Sequence, residues 1–265
     1  MKNLLKKIGS KVSARLDDAS KRQLPVQVQP RFTKMRHRQF PVMHCCIAYN
    51  KHGGYCVPLS SKHRPAARSI MNGKVFERKT ILYITSHCGE GDIVHAGTYF
   101  GDFIPVFARA CSDQGKVWAF EPNPENYACA SITIQINQLT NVILTNAAVG
   151  EAAGTAEMKV NDKFGRSSGG GSSIVQKRKT TTKTIDIPVV AIDDVVPSDR
   201  HVSVIQLDVE RYEGQALRGA LSTIERCRPI LMLENVPNDS WFAQHILAMG
   251  YEKQEEICGN TVFSV

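Results

Sequence analysis

What this chain lacks narrows its function before any motif is read. No apolar run reaches the roughly 18 to 20 residues that a membrane-spanning helix needs, and no short apolar segment with a small-residue cleavage site follows the basic start. A soluble, unprocessed chain is expected. The eight cysteines, at positions 45, 46, 56, 88, 111, 129, 227 and 258, form no CxxC pair and no dense framework like those of small secreted domains, which points to a reducing cytoplasm. His44, Cys45, Cys46, His52, Cys56 and His63 are ligand-capable and close in sequence, but their spacing matches no zinc module. Buried thiols are their expected role, and no resident metal is read from them. Acidic residues are scarce in residues 1–40, which hold eleven Lys or Arg against Asp17 and Asp18, whereas the other 225 residues hold 22 basic and 23 acidic ones. The net charge of +8 therefore belongs to the tail. A nearly neutral body argues against a broad phosphate-binding surface, and so against a nucleic-acid partner.

At 265 residues the chain suits one large α/β domain behind an N-terminal extension. Residues 1–40 read as a basic tail and linker. Within them Leu4, Leu5, Ile8, Val12 and Leu16 recur at helical spacing among lysines, the pattern of a solvated tail or of a short amphipathic helix with weak membrane-surface contact. Residues 41–88 read as a small cap: a hairpin across "CCIAYNKHGGYCVP" turning at Gly53-Gly54, a helix from Pro65 to a stop at Gly73, and a second helix across "TILYITSHC". Residues 89–265 form the ligand-binding domain. Strands are expected at 92–96, 116–121, 141–146, 202–208 and 229–234, with helices near 102–112, 124–137, 213–226 and 239–249. Runs such as "VSVIQLDV" are apolar throughout, as strands covered on both faces are, so the fold is a doubly wound α/β sheet. Residues 151–195 read as a strand pair with a mobile Gly/Ser/Lys loop, and the final "YEKQEEICGNTVFSV" as a hairpin around Gly259-Asn260 that closes the sheet with an antiparallel edge.

The stretch "GEGDIVHAGTYFGDF" runs from strand through a glycine loop into a helix, yet it lacks the GxGxxG of dinucleotide folds; only Gly97 and Gly101 are present. That favours a ligand without a pyrophosphate, such as S-adenosylmethionine, with the helix N-terminus offering backbone N–H groups to its carboxylate. Twenty residues past Gly101 the next strand ends in "VWAFEPNPENY", which puts Glu121 where a carboxylate accepts hydrogen bonds from both hydroxyls of a ribose. NAD shares that contact, so an NAD-dependent oxidoreductase remains an alternative, as does a non-catalytic Rossmann-like binding module.

In order along the chain, "DIVHAGTYFGD", "VWAFEPNPENY", "NVILTNAAVGEAAGTAEM", "GGSSIV", "VVAIDDVV", "VIQLDVERYEGQALRGALSTIERCRPILMLEN" and "GNTVF" together resemble the FkbM-type S-adenosylmethionine-dependent methyltransferases over roughly residues 90–263. The resemblance implies a seven-stranded methyltransferase sheet with the last strand antiparallel, S-adenosylmethionine as cofactor, and methyl transfer to a hydroxyl of a saccharide or small metabolite. The cofactor-binding set is then Gly97, Thr98, Gly101, Asp102, Glu121, Asn146 and Ala147. Two positions depart from the family pattern. His95 stands where an acidic residue is usual, with Asp102 nearby as a partial replacement, and Arg211 stands where a glycine usually follows Glu210; an ordinary backbone is expected there. Asp208 and Glu210, two apart at the end of the fourth strand, are the candidate catalytic pair. They act as a base, bind a divalent ion, or cap the next helix. Glu234 and Asn235, ending the following strand, are candidate acceptor contacts, and the loop at 167–173 is a candidate cover for the acceptor.

Overall fold

A computed structural model describes residues 42–175 and 183–265. The expected tail and its amphipathic helix lie outside the described residues, as does the "QKRKTTT" part of the insert. Residues 42–265, cap and sheet together, form one compact unit.

The chain enters through a hairpin, β1 (Cys45–Asn50) and β2 (Gly53–Pro58), followed by helices α1 (Pro65–Met71) and α2 (Arg78–His87). Then come β3 (Asp92–Ala96), α3 (Ile104–Ala110), β4 (Val117–Phe120), α4 (Pro124–Ile136) and β5 (Val142–Thr145). A second small sheet is made of β6 (Ala148–Val149), β7 (Gly154–Lys159), β8 (Ser173–Ile174) and β9 (Thr184–Val190). The rest comprises α5 (Ile192–Val195), β10 (Val202–Leu207), α6 (Glu213–Arg218), α7 (Leu221–Cys227), β11 (Ile230–Leu233), α8 (Ser240–His245), β12 (Glu252–Ile257) and β13 (Asn260–Ser264).

The main sheet has seven strands in the order β12-β13-β11-β10-β3-β4-β5. Strands β5, β4, β3, β10 and β11 are mutually parallel, and β13 is antiparallel to both its neighbours. The fold is the expected doubly wound one, with its last strand antiparallel. Period-two alternation sends side chains to two separate cores, as strands covered on both faces require. Val94, Ala96, Trp118 and Phe120 pack with α6 and α7 through Ala216, Leu217 and Ile224. Ile93, Val117, Ala119 and Val204 pack with Phe103, Ile104 and Phe107 on the opposite face. Each fully buried Val, Leu, Ile or Phe among them contributes about 1.5–3 kcal/mol relative to exposure.

The amino ends of the central strands are pinned by Asp92. Its buried carboxylate accepts from Lys116 N at 2.8 Å, Trp118 Nε1 at 2.8 Å and Arg200 Nε at 2.8 Å. This ties β3, β4 and the approach to β10 together at one end, so the ligand crevice is left to the carboxyl ends.

Four local expectations are corrected. The first hairpin turns at Lys51-His52, where Asn50 Oδ1 accepts from His52 N at 2.8 Å; Gly53 and Gly54 lie within β2. A Cβ on Gly53 would lie 2.0 Å from Oδ1 of Asn137, the residue that caps α4, and one on Gly54 would lie 2.8 Å from the Tyr49 ring. The helix expected over 213–226 is two helices broken at Gly219-Ala220, since Gly219 sits against the Gly150 carbonyl, 1.9 Å from where its Cβ would be. The region 151–195 holds three strands rather than a strand pair, and with β6 they form a four-stranded sheet with its own apolar side, Ala148, Met158, Ile187 and Val189. The closing hairpin turns at Cys258-Gly259, and β13 inserts between β11 and β12, so β12 forms the sheet edge.

Candidate active site

Strand β3 lies between β4 and β10, and the chain winds away from it in both directions, so the carboxyl ends of β3 and β10 frame the switch-point crevice. Gly97 makes this approach possible. It has φ +83°, and a Cβ there would sit 1.8 Å from the Asp208 carbonyl oxygen. Beyond it the loop is held by Glu121. One carboxylate oxygen accepts from Tyr99 N at 2.8 Å, and the other accepts from Asn123 N at 2.8 Å and Asn126 Nδ2 at 3.4 Å. A carboxylate has about four lone-pair sites. With three taken by the protein, one remains for a ligand hydroxyl rather than the two expected. Burial pushes the Glu121 carboxyl up to about 8, against these hydrogen bonds, which pull it down.

Two cavities meet at this loop. A narrow cleft is walled by Glu121, Ala147, Val149, Met158 and Tyr212. A chamber of about 180 Å³ is walled by Glu77, Asp102, Asp208, Glu210 and Glu234, with Arg64 and His95. Gly97, Gly170 and Asp208 belong to both. Gly170 comes from the tight turn Gly169–Gly171, which lies across Tyr99; side chains there would meet Tyr99, Ser61 and Arg64. This turn is part of the 167–173 segment expected to cover the acceptor.

The acidic cluster is assembled by a backbone turn, not by strand pleat. β10 ends at Leu207, Asp208 N donates to Ala96 O at 3.1 Å, and the chain then turns through Glu210 at φ +53° and Arg211 at φ +74°. The expectation of an ordinary backbone at Arg211 is thus overturned: a left-handed turn brings Glu210 back toward Asp208, at a cost of about 1–2 kcal/mol per non-glycine residue. Carboxylate oxygens of Asp208, Glu210 and Glu234 all lie within 4.8 Å of one another. Burial and then the Glu234 carboxylate push Asp208 well above the usual carboxylate range. The same two causes raise Glu210 to about 7, with Arg64 opposing, and burial followed by Glu77 raises Asp102 to about 7. Neither member of the pair caps α6, whose first residue is preceded by Tyr212 with no side-chain cap.

His95 is 2% exposed. Its Nδ1 meets Gln206 Oε1 on the adjacent strand, and its ring stacks on Phe103 with centroids 5.7 Å apart. Burial holds it down at about 4, so the ring is neutral. Nε2 has no hydrogen-bond partner among the described residues.

Of the residues read from sequence, Gly97, Glu121 and Ala147 meet on the cleft, and Asp102, Asp208, Glu210 and Glu234 meet on the chamber. Thr98, Gly101, Asn146 and Asn235 line neither. Thr98 is buried, with N donating to Phe120 O at 3.1 Å, and Gly101 sets a φ of +82° against Ala130 and Thr133. Asn146 Nδ2 braces the Glu121 carbonyl at 2.8 Å, and Asn235 Nδ2 braces Glu234 Oε2 at 3.0 Å. Sequence reasoning missed Arg64 and Glu77, which arrive from the cap more than a hundred residues from Asp208, and Tyr212; no local pattern marks them. Among the described residues the Asp208, Glu210 and Glu234 oxygens are the one set of three metal-capable groups within 4.8 Å of one another. No helix among the described residues is long and apolar enough to cross a membrane.

A seven-stranded sheet with an antiparallel last strand and a ligand crevice at its switch point defines a Rossmann-like methyltransferase fold. The chain belongs to the FkbM methyltransferase family: residues 95–256 match the methyltransferase FkbM domain. Among solved structures it is similar to methyltransferase FkbM from Methylobacillus flagellatus KT, at 16% identity and a TM-score of 0.46 over 66% of this chain and 44% of that one. It is similar also to a methyltransferase from Geobacter sulfurreducens, at 13% identity and 0.44 over 77% and 87% of the two chains. A SAM-dependent methyltransferase from Aquifex aeolicus matches at 12% identity and 0.41 over 77% and 94%. The chain spans less than half the length of the Methylobacillus protein. No curated protein matches it.

Proposed function

We propose that this chain is an S-adenosylmethionine-dependent methyltransferase that methylates a hydroxyl oxygen of a saccharide or small metabolite. The observation that carries the reading is the meeting of the cleft and the acidic chamber at Gly97, Gly170 and Asp208. The residues present fit the cofactor. Glu121 offers its remaining lone pair at the cleft wall, Ala147, Val149 and Met158 offer an apolar face for a purine, and Asp102 and Asp208 offer carboxyl oxygens that can accept from an ammonium. When bound, that cofactor supplies an already activated methyl group.

The chain's own part is then orientation and proton transfer. Gly97 and Gly170 stand where the two cavities meet, and an acceptor held there in line with the methyl gains an effective molarity of about 10⁵–10⁸ M when well oriented. Asp208 and Glu210, each raised by burial and by Glu234, are placed to accept the proton that an alcohol loses on methylation. Glu234 raises the basicity of that pair, and Arg64 opposes it at Glu210. The acceptor is read as a small molecule or glycan rather than nucleic acid, because the chain outside the tail has no basic excess. The cytoplasm is the compartment this reading assumes, supported by eight free thiols. The experiment is transfer of labelled methyl from S-adenosylmethionine to a panel of saccharides and small hydroxyl metabolites. Label in an ether product, lost in Asp208→Asn, supports the reading; label only in an amine or a nucleic acid contradicts it.

A further inference from the structure

The acidic chamber carries charge that a proton-accepting role leaves unexplained. A single base needs one carboxylate, but five line this chamber against Arg64, and three of them converge from the ends of two neighbouring strands. We propose that Asp208, Glu210 and Glu234 hold a divalent cation of the oxygen-preferring class, Mg²⁺ or Mn²⁺, which orients the acceptor.

The spacing suits one ion. Oxygen ligands lie about 2.0–2.1 Å from Mg²⁺ and about 2.3–2.6 Å from Ca²⁺, so two oxygens on one ion stand at most about 4–5 Å apart across that range. The three carboxylates offer oxygens within 4.8 Å of one another. Asp208 and Glu234 share a side-chain hydrogen bond that an ion would replace, and both are held from behind: Asp208 N is tied to Ala96 O, Glu234 N donates to Leu207 O at 3.0 Å, and Asn235 Nδ2 braces Glu234 Oε2.

A second, independent feature points to a ligand in the same chamber. The His95 ring is buried and lines it, yet Nε2 has no partner among the described residues. Gln206 Oε1 faces Nδ1, so Nδ1 carries the proton and Nε2 presents a lone pair. A buried acceptor of this kind is costly unless something donates to it. A water or acceptor hydroxyl on the cation is a donor of the right kind. His95, in a position usually acidic in this family, then serves the chamber as a neutral acceptor.

The role rests on the methyltransferase reading; the site does not. A cation here would bind the hydroxyl to be methylated and lower its pKa, so that a carboxylate of the same cluster takes the released proton more readily. The acceptor class becomes one that presents two oxygens at chelating distance, such as a vicinal diol or a hydroxy acid, in preference to an isolated alcohol.

The test is titration of the full chain with Mn²⁺, following the signal of the free ion by electron paramagnetic resonance, for wild type, Asp208→Asn, Glu210→Gln and Glu234→Gln. Circular dichroism identifies any variant that does not fold, and the others carry the test. Loss of groups behind the ligands typically weakens a metal site about 10- to 100-fold, and loss of a ligand should do no less. One equivalent bound by wild type, and at least about tenfold weaker binding in the folded variants, supports the proposal. No binding, or binding undiminished in the folded variants, overturns it. S-adenosylhomocysteine is titrated into the same samples. Mn²⁺ binding without nucleoside binding keeps the cation site and removes the methyltransferase reading; nucleoside binding without Mn²⁺ does the reverse.

Discussion

Replacing Gly97 with alanine perturbs the contact on which both cavities depend. At φ +83° an L-residue carries a left-handed penalty of about 1–2 kcal/mol. Its Cβ would lie 1.8 Å from the Asp208 carbonyl oxygen, a backbone atom that no rotamer change can clear, and forcing such an atom in costs about 1–3 kcal/mol more. The sum is about 2–5 kcal/mol. At about 2–4 °C per kcal/mol for a domain of this size, the melting temperature should fall by about 4–20 °C. Gly101→Ala is the internal control, because Gly101 has nearly the same φ, +82°, but its Cβ would meet only Ile104 Cδ1 at 3.3 Å and Ala130 Cα and Thr133 Cγ2 at 3.5 Å. It should lose the left-handed penalty and little else. The assay is thermal unfolding by circular dichroism, paired with calorimetric binding of S-adenosylhomocysteine, since displacing Asp208 distorts both cavities. Equal loss of stability in the two variants would refute the close approach of β3 to β10.

Two further outcomes follow from the titratable groups and the last turn. Asp102, Glu121 and Glu210 have folded pKa values of about 7 to 8, and Asp208 is also raised, all above their unfolded values. Raised carboxylates hold protons that the unfolded chain releases, so their contribution is complete at low pH and lost as pH rises through the folded values. His95, lowered to about 4, acts oppositely, but only below its ordinary value near 6.5. The melting temperature of the ligand-free protein should therefore fall between about pH 6.5 and 8, and a flat or rising profile there would contradict the burial of these acids. In the hairpin turn, Cys258 is exposed at φ +51° and is followed by Gly259 at φ +89°, the backbone that Asn-Gly turns favour. Cys258→Asn should stabilise by about 0.4–1 kcal/mol in chemical denaturation. Destabilisation would mean that the turn has another conformation.

The sheet was legible because fully buried parallel strands leave unbroken apolar runs, and each expected strand appears within a residue or two of its place. The glycine loop and Glu121 were legible for a related reason: a strand end, a glycine and an acid stand at a fixed interval along the chain. The chamber was only half legible. Asp208, Glu210 and Glu234 end adjacent strands, but what brings Glu210 to Asp208 is a left-handed turn at a residue, Arg211, whose type gives no hint of it. Glu77 and Arg64 reach the chamber from the cap, and such long-range placement leaves no trace in local periodicity. Asn146 and Asn235 were read as ligand contacts from their strand-end positions. Their amides instead brace the groups beside them, and only hydrogen-bond geometry separates those two roles.

Isothermal titration decides whether the cleft beside Glu121 receives an adenosyl cofactor. S-adenosylhomocysteine and NAD are titrated separately into wild type and Glu121→Ala. Micromolar binding of S-adenosylhomocysteine alone is expected. The variant should weaken it by about tenfold or more, because a buried hydroxyl left without its hydrogen-bond partner costs about 1–3 kcal/mol. Binding of NAD alone, of neither ligand, or of S-adenosylhomocysteine equally by both proteins would contradict that reading.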